Sequence, residues 1–193
     1  MQRTPSAPLM RKPLGRLKAR LLALAIAGVA LSIQARADGL VVYGQDWAFT
    51  VAEPTGWHGD TADSAARYQV NIVFLPDDSQ SKRADVTIRV RVNKKADELI
   101  AADLEADMNE YRAKFKKIRF ADLKVHHPSY PLVSKLFFVP GEFFEYVAYV
   151  NPGKEYPYDF SVALSKANDP ASPAELAAYQ KVLQSVMFMH KAP

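Results

Sequence analysis

Four histidines, no cysteine and 21 carboxylates set the chemistry open to this 193-residue chain. His126 and His127 are the one histidine cluster. Adjacent residues on a strand point to opposite faces, so the pair cannot close on one metal ion there. His58 lies in a polar stretch with Asp60 and Asp63, and His-x-Asp-x-x-Asp offers nitrogen and oxygen donors to a cation. That spacing matches no specific metal motif, so no metal site is assigned. Ser64, Ser129, Ser134 and Ser161 lack the Gly-x-Ser-x-Gly context of an activated nucleophile. The sequence also has no phosphate-binding glycine loop and no His-Glu-x-x-His. Asp77-Asp78 reads as a solvated turn. No catalytic residue and no cofactor is assigned. A triad built from distant residues would leave no such signature, which keeps two alternatives open: a hydrolase with an unrecognised site, and a small-ligand carrier.

Binding chemistry has more candidates. Arg89 and Arg91 fall with Thr87 on one face of an alternating strand. Simple surface exposure is the expectation for them; exposed, they could form an anion- or partner-binding strip, whereas on a sheet covered by a helix they could pair with carboxylates. Tyr156-Pro157-Tyr158 follows the turn Asn151-Pro152-Gly153, which should push at least one tyrosine outward. Trp57 and His58 follow another turn, Glu53-Pro54-Thr55-Gly56. Trp57, His58, Arg89, Arg91, Tyr156 and Tyr158 are therefore the candidate partner-binding residues.

The elements that would position these residues are legible from periodicity. Trp47, Phe49 and Val51 alternate with Ala48 and Thr50, placing one or two strands over residues 40–51. Residues 58–66 read as a polar loop with at most a helical turn. Strands are expected over 68–75 and 85–93, spaced for a hairpin. Ile100, Leu104, Met108, Tyr111 and Phe115 form one stripe of a helix over 96–116. Its acids crowd the first half and its bases the end, matching the helix dipole, and its charged face reads as solvated surface. A strand lies within 118–127, then antiparallel strands over 133–139, 143–150 and 158–164, joined by connections too short for crossover helices. Residues 143–150 are apolar on both faces, as in a central covered strand. Ser172-Pro173-Ala174-Glu175 opens the last helix with a capping box, and Met187-Phe188-Met189 follows as an extended segment.

The first 37 residues read as a cleavable export signal. Arg3, Arg11, Lys12, Arg16, Lys18 and Arg20 precede the apolar stretch Leu21 to Ile33, and Ala35-Arg36-Ala37 provides the small-x-small cleavage site. That stretch is short against the roughly 20 residues that span a bilayer. No membrane anchor is expected after cleavage, and the periplasm is the expected compartment. Residues 1–37 hold seven of the 25 basic residues and none of the 21 acids. Residues 38–193 then carry 18 basic against 21 acidic residues, formally −3. The basic balance of the whole chain belongs to the signal and gives no reason to expect nucleic-acid binding. Without disulfides, the remaining single α+β domain must be stable by packing alone.

Phe49-Thr50-Val51 leads into Pro54-Thr55-Gly56-Trp57. Paired strands, a long helix, antiparallel strands and a final helix running into Met187-Phe188 follow. This order resembles the PsbP/Mog1-like fold over roughly residues 40–190. The resemblance implies an antiparallel sheet sandwiched by helices. Members of such families are mostly adaptors, assembly factors, chaperones or partners of larger proteins, and no catalytic residue set carries over; with export, small size and the missing catalytic motifs, the expectation is a protein that binds another, as an adaptor, chaperone or inhibitor. An immunity-type protein acting on a toxin, or the partner of an envelope component, is the concrete expectation.

Overall fold

A computed structural model describes residues 39–78, 84–95 and 100–189. In chain order they form β1 (Leu40–Tyr43), β2 (Ala48–Val51), β3 (Trp57–Asp60), α1 (Asp63–Tyr68), β4 (Ile72–Pro76), β5 (Val86–Lys94) and α2 (Ile100–Lys114). Then come β6 (Arg119–Asp122), β7 (Leu132–Val139), β8 (Phe143–Val150), β9 (Tyr158–Ala167), α3 (Pro173–Ser185) and β10 (Met187–Phe188). Seven strands make one sheet in the order β3-β4-β5-β9-β8-β7-β6, and β1-β2-β10 make a second. Every pairing is antiparallel. The architecture is the expected α+β type. The export signal read over residues 1–37 lies outside the described residues, which all fall within one compact unit.

Strict alternation gives the large sheet two covered faces. Ile88, Val90, Phe144, Tyr146, Ala148, Val150, Phe160, Val162 and Leu164 point to one side. There they meet Tyr179, Val182 and Leu183 of α3 and Phe49, Val51 and Phe188 of the small sheet. Each such large side chain, fully buried, contributes roughly 1.5–3 kcal/mol. On the other side Phe137, Val147 and Tyr149 meet Met108, with Ile100, Leu104 and Tyr111 of α2 packed around them. Strand β8 lies between the layers and is buried from Phe144 to Val150, as its two apolar faces require. Gly141, at φ +77°, closes the β7–β8 hairpin where a side chain would strain the backbone.

The two long helices are held differently. Ser172 caps α3: its hydroxyl accepts the Glu175 N–H at 3.3 Å while Glu175 accepts the Ser172 N–H at 2.6 Å. Helix α3 buries Ala178, Tyr179, Val182 and Leu183, whereas α2 buries Met108 alone.

Two expectations need correction. Residues 57–60 are a strand, not a loop. Their composition carries no alternation, and pairing with β4, Trp57 opposite Pro76 and Asp60 opposite Val73, makes them an edge strand. The strand expected from residue 68 begins at Ile72, because Tyr68 ends α1 and Gln69 turns the chain at φ +55°. Asp60 sets up that helix by accepting the N–H groups of Ala62 at 2.7 Å and Ser64 at 2.9 Å. Among the described residues, no helix is long and apolar enough to cross a membrane.

Candidate functional site

Two surfaces of this fold carry polar or apolar chemistry beyond simple packing: the face of the large sheet beneath α2, and the outer face of the small sheet.

On the α2 side, alternation brings Arg89 and Asn93 of β5, Glu145 and Tyr149 of β8, and Asp159, Ser161 and Ser165 of β9 to one face. Helix α1 packs on β3 and β4 while α2 packs on β7 and β8, so these polar residues occupy the strip between. The Arg89 guanidinium pairs with Glu145 and also donates to the Ser165 hydroxyl, which donates in turn to Glu145 at 3.0 Å. The Tyr111 hydroxyl of α2 donates to the second Glu145 oxygen. Tyr68 of α1 stacks on the guanidinium at 5.7 Å. The Arg89 and Glu145 side chains are 12% and 9% exposed, so this is a buried ion pair whose charges are compensated on several sides.

Next to this pair lies an acid set contributed by both layers. Asp107 of α2 accepts from the Tyr149 hydroxyl. Burial pushes the Asp107 carboxyl up, and Glu110 and Glu145 reinforce that. Burial also pushes both phenols, Tyr111 and Tyr149, well above the usual tyrosine range, so they remain donors. Asp159, 5% exposed, stands opposite Asn93 in the β5–β9 register. Burial first, with Asp103 adding to it, pushes Asp159 up to about 6. The α2 charges were expected to be solvated; Asp103 and Asp107 instead face the sheet.

The expected exposure of Arg89 is likewise overturned. Arg89 lies in the strip between the two helices, Tyr68 of α1 covers its guanidinium, and a carboxylate one strand beyond β9 takes its charge. Arg91 is half-buried and donates to the Gln69 carbonyl at 3.1 Å. Tyr156 and Tyr158 are both half-buried against the core, and Pro157 between them is the exposed residue. Tyr156 packs on Phe188 at 5.4 Å, and the Tyr158 hydroxyl bonds Asp46. Trp57 is half-buried against the same core. His58 beside it is 44% exposed, with Nδ1 3.4 Å from Asp77. These six residues do not converge on one site. His127 is buried: its Nδ1 accepts the N–H groups of Ser129 at 3.1 Å and Tyr130 at 3.0 Å. Nε2 must then carry the proton, donated to the Val186 carbonyl at 2.9 Å. His126 faces Gln184 at 2.9 Å instead. Among the described residues, no three histidines or carboxylates are grouped to hold a metal ion. Asp60, a ligand in the His58 reading, is occupied by α1.

No family model matches the chain, and no curated protein matches it.

The second surface was not anticipated as a site. In the small sheet Phe49, Val51 and Phe188 point inward, so Tyr43, Met187 and Met189 point outward. They are the exposed large hydrophobics of the described residues, at 41%, 37% and 42%. Tyr43 stands opposite Ala48, Met187 opposite Thr50, and the Met189 N–H donates to the Ala48 carbonyl at 2.9 Å, so the three lie on one small face. The alternation around Phe188 was the signal: a buried phenylalanine obliges both flanking methionines to face away from it.

Proposed function

We propose that this chain is an exported protein-binding protein that presents the outer face of its three-stranded sheet to a partner. The observation that carries this reading is the grouping of Tyr43, Met187 and Met189 on one face. Aromatic and methionine side chains are enriched at the centres of protein interfaces, and methionine adapts its shape to a partner. The buried polar network beneath α2 is engaged in holding helix to sheet, which supports a positioning role for it. The element order, with Pro54-Thr55-Gly56-Trp57 after β2, supports a PsbP/Mog1-like fold, a family of adaptors, assembly factors and chaperones. The basic, apolar, small-x-small pattern of residues 1–37 supports periplasmic delivery. An adaptor, a chaperone or an immunity-type inhibitor of a toxin all fit this description.

The test is affinity capture from periplasmic extract with the exported protein, run beside Tyr43→Ser/Met187→Ser/Met189→Ser. The expected result is a stoichiometric partner lost in the triple variant while far-ultraviolet circular dichroism stays unchanged. A partner retained by the triple variant, or no partner at native abundance, would overturn the proposal.

A further inference from the structure

Positive charge is concentrated at one end of α2 and along the strand that follows it. Residues 112–124 hold six basic residues and one acid, while the rest of residues 38–193 hold 12 basic and 20 acidic. The six, Arg112, Lys114, Lys116, Lys117, Arg119 and Lys124, are all exposed. They run from the last turn of α2, through a reversal in which the Ile118 N–H donates to the Phe115 carbonyl at 3.2 Å, and along β6. The helix accounts for two of them. Arg112 bonds Glu105 and Asn109 at 3.0 and 2.7 Å, and Lys114 shares its last turn, where a cation suits the dipole. Among the described residues, no carboxylate lies within ion-pair distance of Lys116, Lys117, Arg119 or Lys124. The acid between them, Asp122, is taken by Lys135.

These charges flank a sheet edge. Strand β6 ends the seven-strand order and, among the described residues, pairs with β7 alone, so its outer side presents backbone N–H and C=O groups in the plane of the sheet. Cations stand on both faces of that edge. Arg119, opposite Phe138, falls on the α3 face, and Arg112 reaches over the Phe120 ring at 5.1 Å on the α2 face. Basic side chains on an edge repel stray strands, and the same charges select: a neutral or basic segment gains nothing from them, and an acidic one is attracted. We propose that the β6 edge docks an acidic, extended segment of a partner protein, which adds as a further strand beside Arg119–Asp122. Main-chain hydrogen bonds then supply affinity and the flanking cations supply specificity. The site lies on different strands from Tyr43, Met187 and Met189 and does not depend on them. An anionic lipid surface suits this edge less well. Membrane-surface elements insert exposed apolar side chains, whereas Phe115, Ile118 and Phe120 are half-buried and the exposed large hydrophobics lie on the small sheet. Lipid also has no strand to pair with the edge.

Titration of the purified chain with the end-blocked peptide Glu-Val-Glu-Val-Glu-Val, followed by backbone amide shifts, tests the edge. Saturable shifts are expected at residues 119–122, with affinity falling about tenfold between about 0.05 M and about 0.5 M salt. Lys116→Glu/Lys117→Glu/Arg119→Glu should weaken binding about tenfold or more. The same peptide N-methylated at every residue keeps its charge but cannot pair as a strand, and should bind about tenfold more weakly. Tyr43→Ser/Met187→Ser/Met189→Ser should bind the peptide as the wild type does. Absence of binding, indifference to salt, equal binding of the N-methylated peptide or of Lys-Val-Lys-Val-Lys-Val, or loss in the Tyr43 triple variant would each overturn the proposal. Shifts at 119–122 produced by phosphatidylglycerol vesicles and not by the peptide would overturn it in favour of a membrane surface. If the charge-reversed variant fails to fold, the salt series and the N-methylated peptide on the wild-type chain decide.

Discussion

Replacing Asp159 by asparagine should stabilise this protein at neutral pH, against the usual rule that changing a buried residue costs stability. Asp159 is 5% exposed, and its carboxyl is raised from 3.8 to about 6 by burial and by Asp103. The sign follows from linkage. Below about pH 3.8 the group is protonated in folded and unfolded chains alike and contributes no penalty. As pH rises toward 6 the unfolded chain ionises freely while the folded chain resists, so stability falls, and above 6 the penalty is constant. At about 1.4 kcal/mol for each pH unit of separation, the plateau is about 3 kcal/mol. Asparagine is close in shape and has no charge to lose. Urea denaturation of wild type and Asp159→Asn at pH 4 and pH 7.5 gives the comparison. The variant should gain up to about 3 kcal/mol at pH 7.5, roughly 6–12 °C in melting temperature for a domain of this size. At pH 4 the two should nearly coincide. A variant less stable than wild type at pH 7.5, or an equal gain at both pH values, would refute this account of the carboxyl pair.

Two further predictions concern the other buried polar groups. His127 carries the opposite pH signature: burial lowers its affinity for a proton, so the stability it supports is present above about pH 6.5 and lost as pH falls below that value. His127→Ala should cost about 1–3 kcal/mol by orphaning the Ser129 and Tyr130 N–H groups. His127→Asn, whose carbonyl can take the place of Nδ1, should recover part of that in the same denaturation experiment. Removing either member of the Arg89–Glu145 pair should cost about 3–5 kcal/mol, since a buried charge is left alone. The double variant Arg89→Met/Glu145→Leu should lose far less than the sum; additive losses in the thermodynamic cycle would mean the pair does not act as a unit.

Much of the frame was legible in the sequence because its signals are local. The stripe from Ile100 to Phe115, the alternation of Val86, Ile88, Val90 and Val92, and the box Ser172–Glu175 each reflect a period or a cap complete within a few residues. Strand β3 was not legible, because Trp-His-Gly-Asp has no period of its own and becomes a strand only by pairing with β4. The charges of α2 were misread for a related reason. Asp103 and Asp107 each precede a stripe residue, Leu104 and Met108, and flank the apolar face rather than oppose it. Whether a flanking acid meets water or a sheet depends on what the sheet offers there. Glu145 was the stronger clue: a lone acid within the apolar run of β8 needs a buried partner, and Arg89 was a candidate on an alternating strand.

The sequence by itself determined the α+β class, the antiparallel sense of the late strands, the absence of disulfide or thiol chemistry, and the charge imbalance between residues 1–37 and the remainder. These follow from composition and from periods of two and 3.6 residues, which the backbone enforces wherever the chain folds. Only the tertiary structure decided that Arg89 is paired rather than exposed, that Asp107 meets Tyr149, and that Tyr43, Met187 and Met189 share one outward face. In each case residues far apart in sequence become neighbours through strand order and helix placement. A carboxyl's proton affinity or an apolar side chain's exposure is a property of those neighbours, not of the residue.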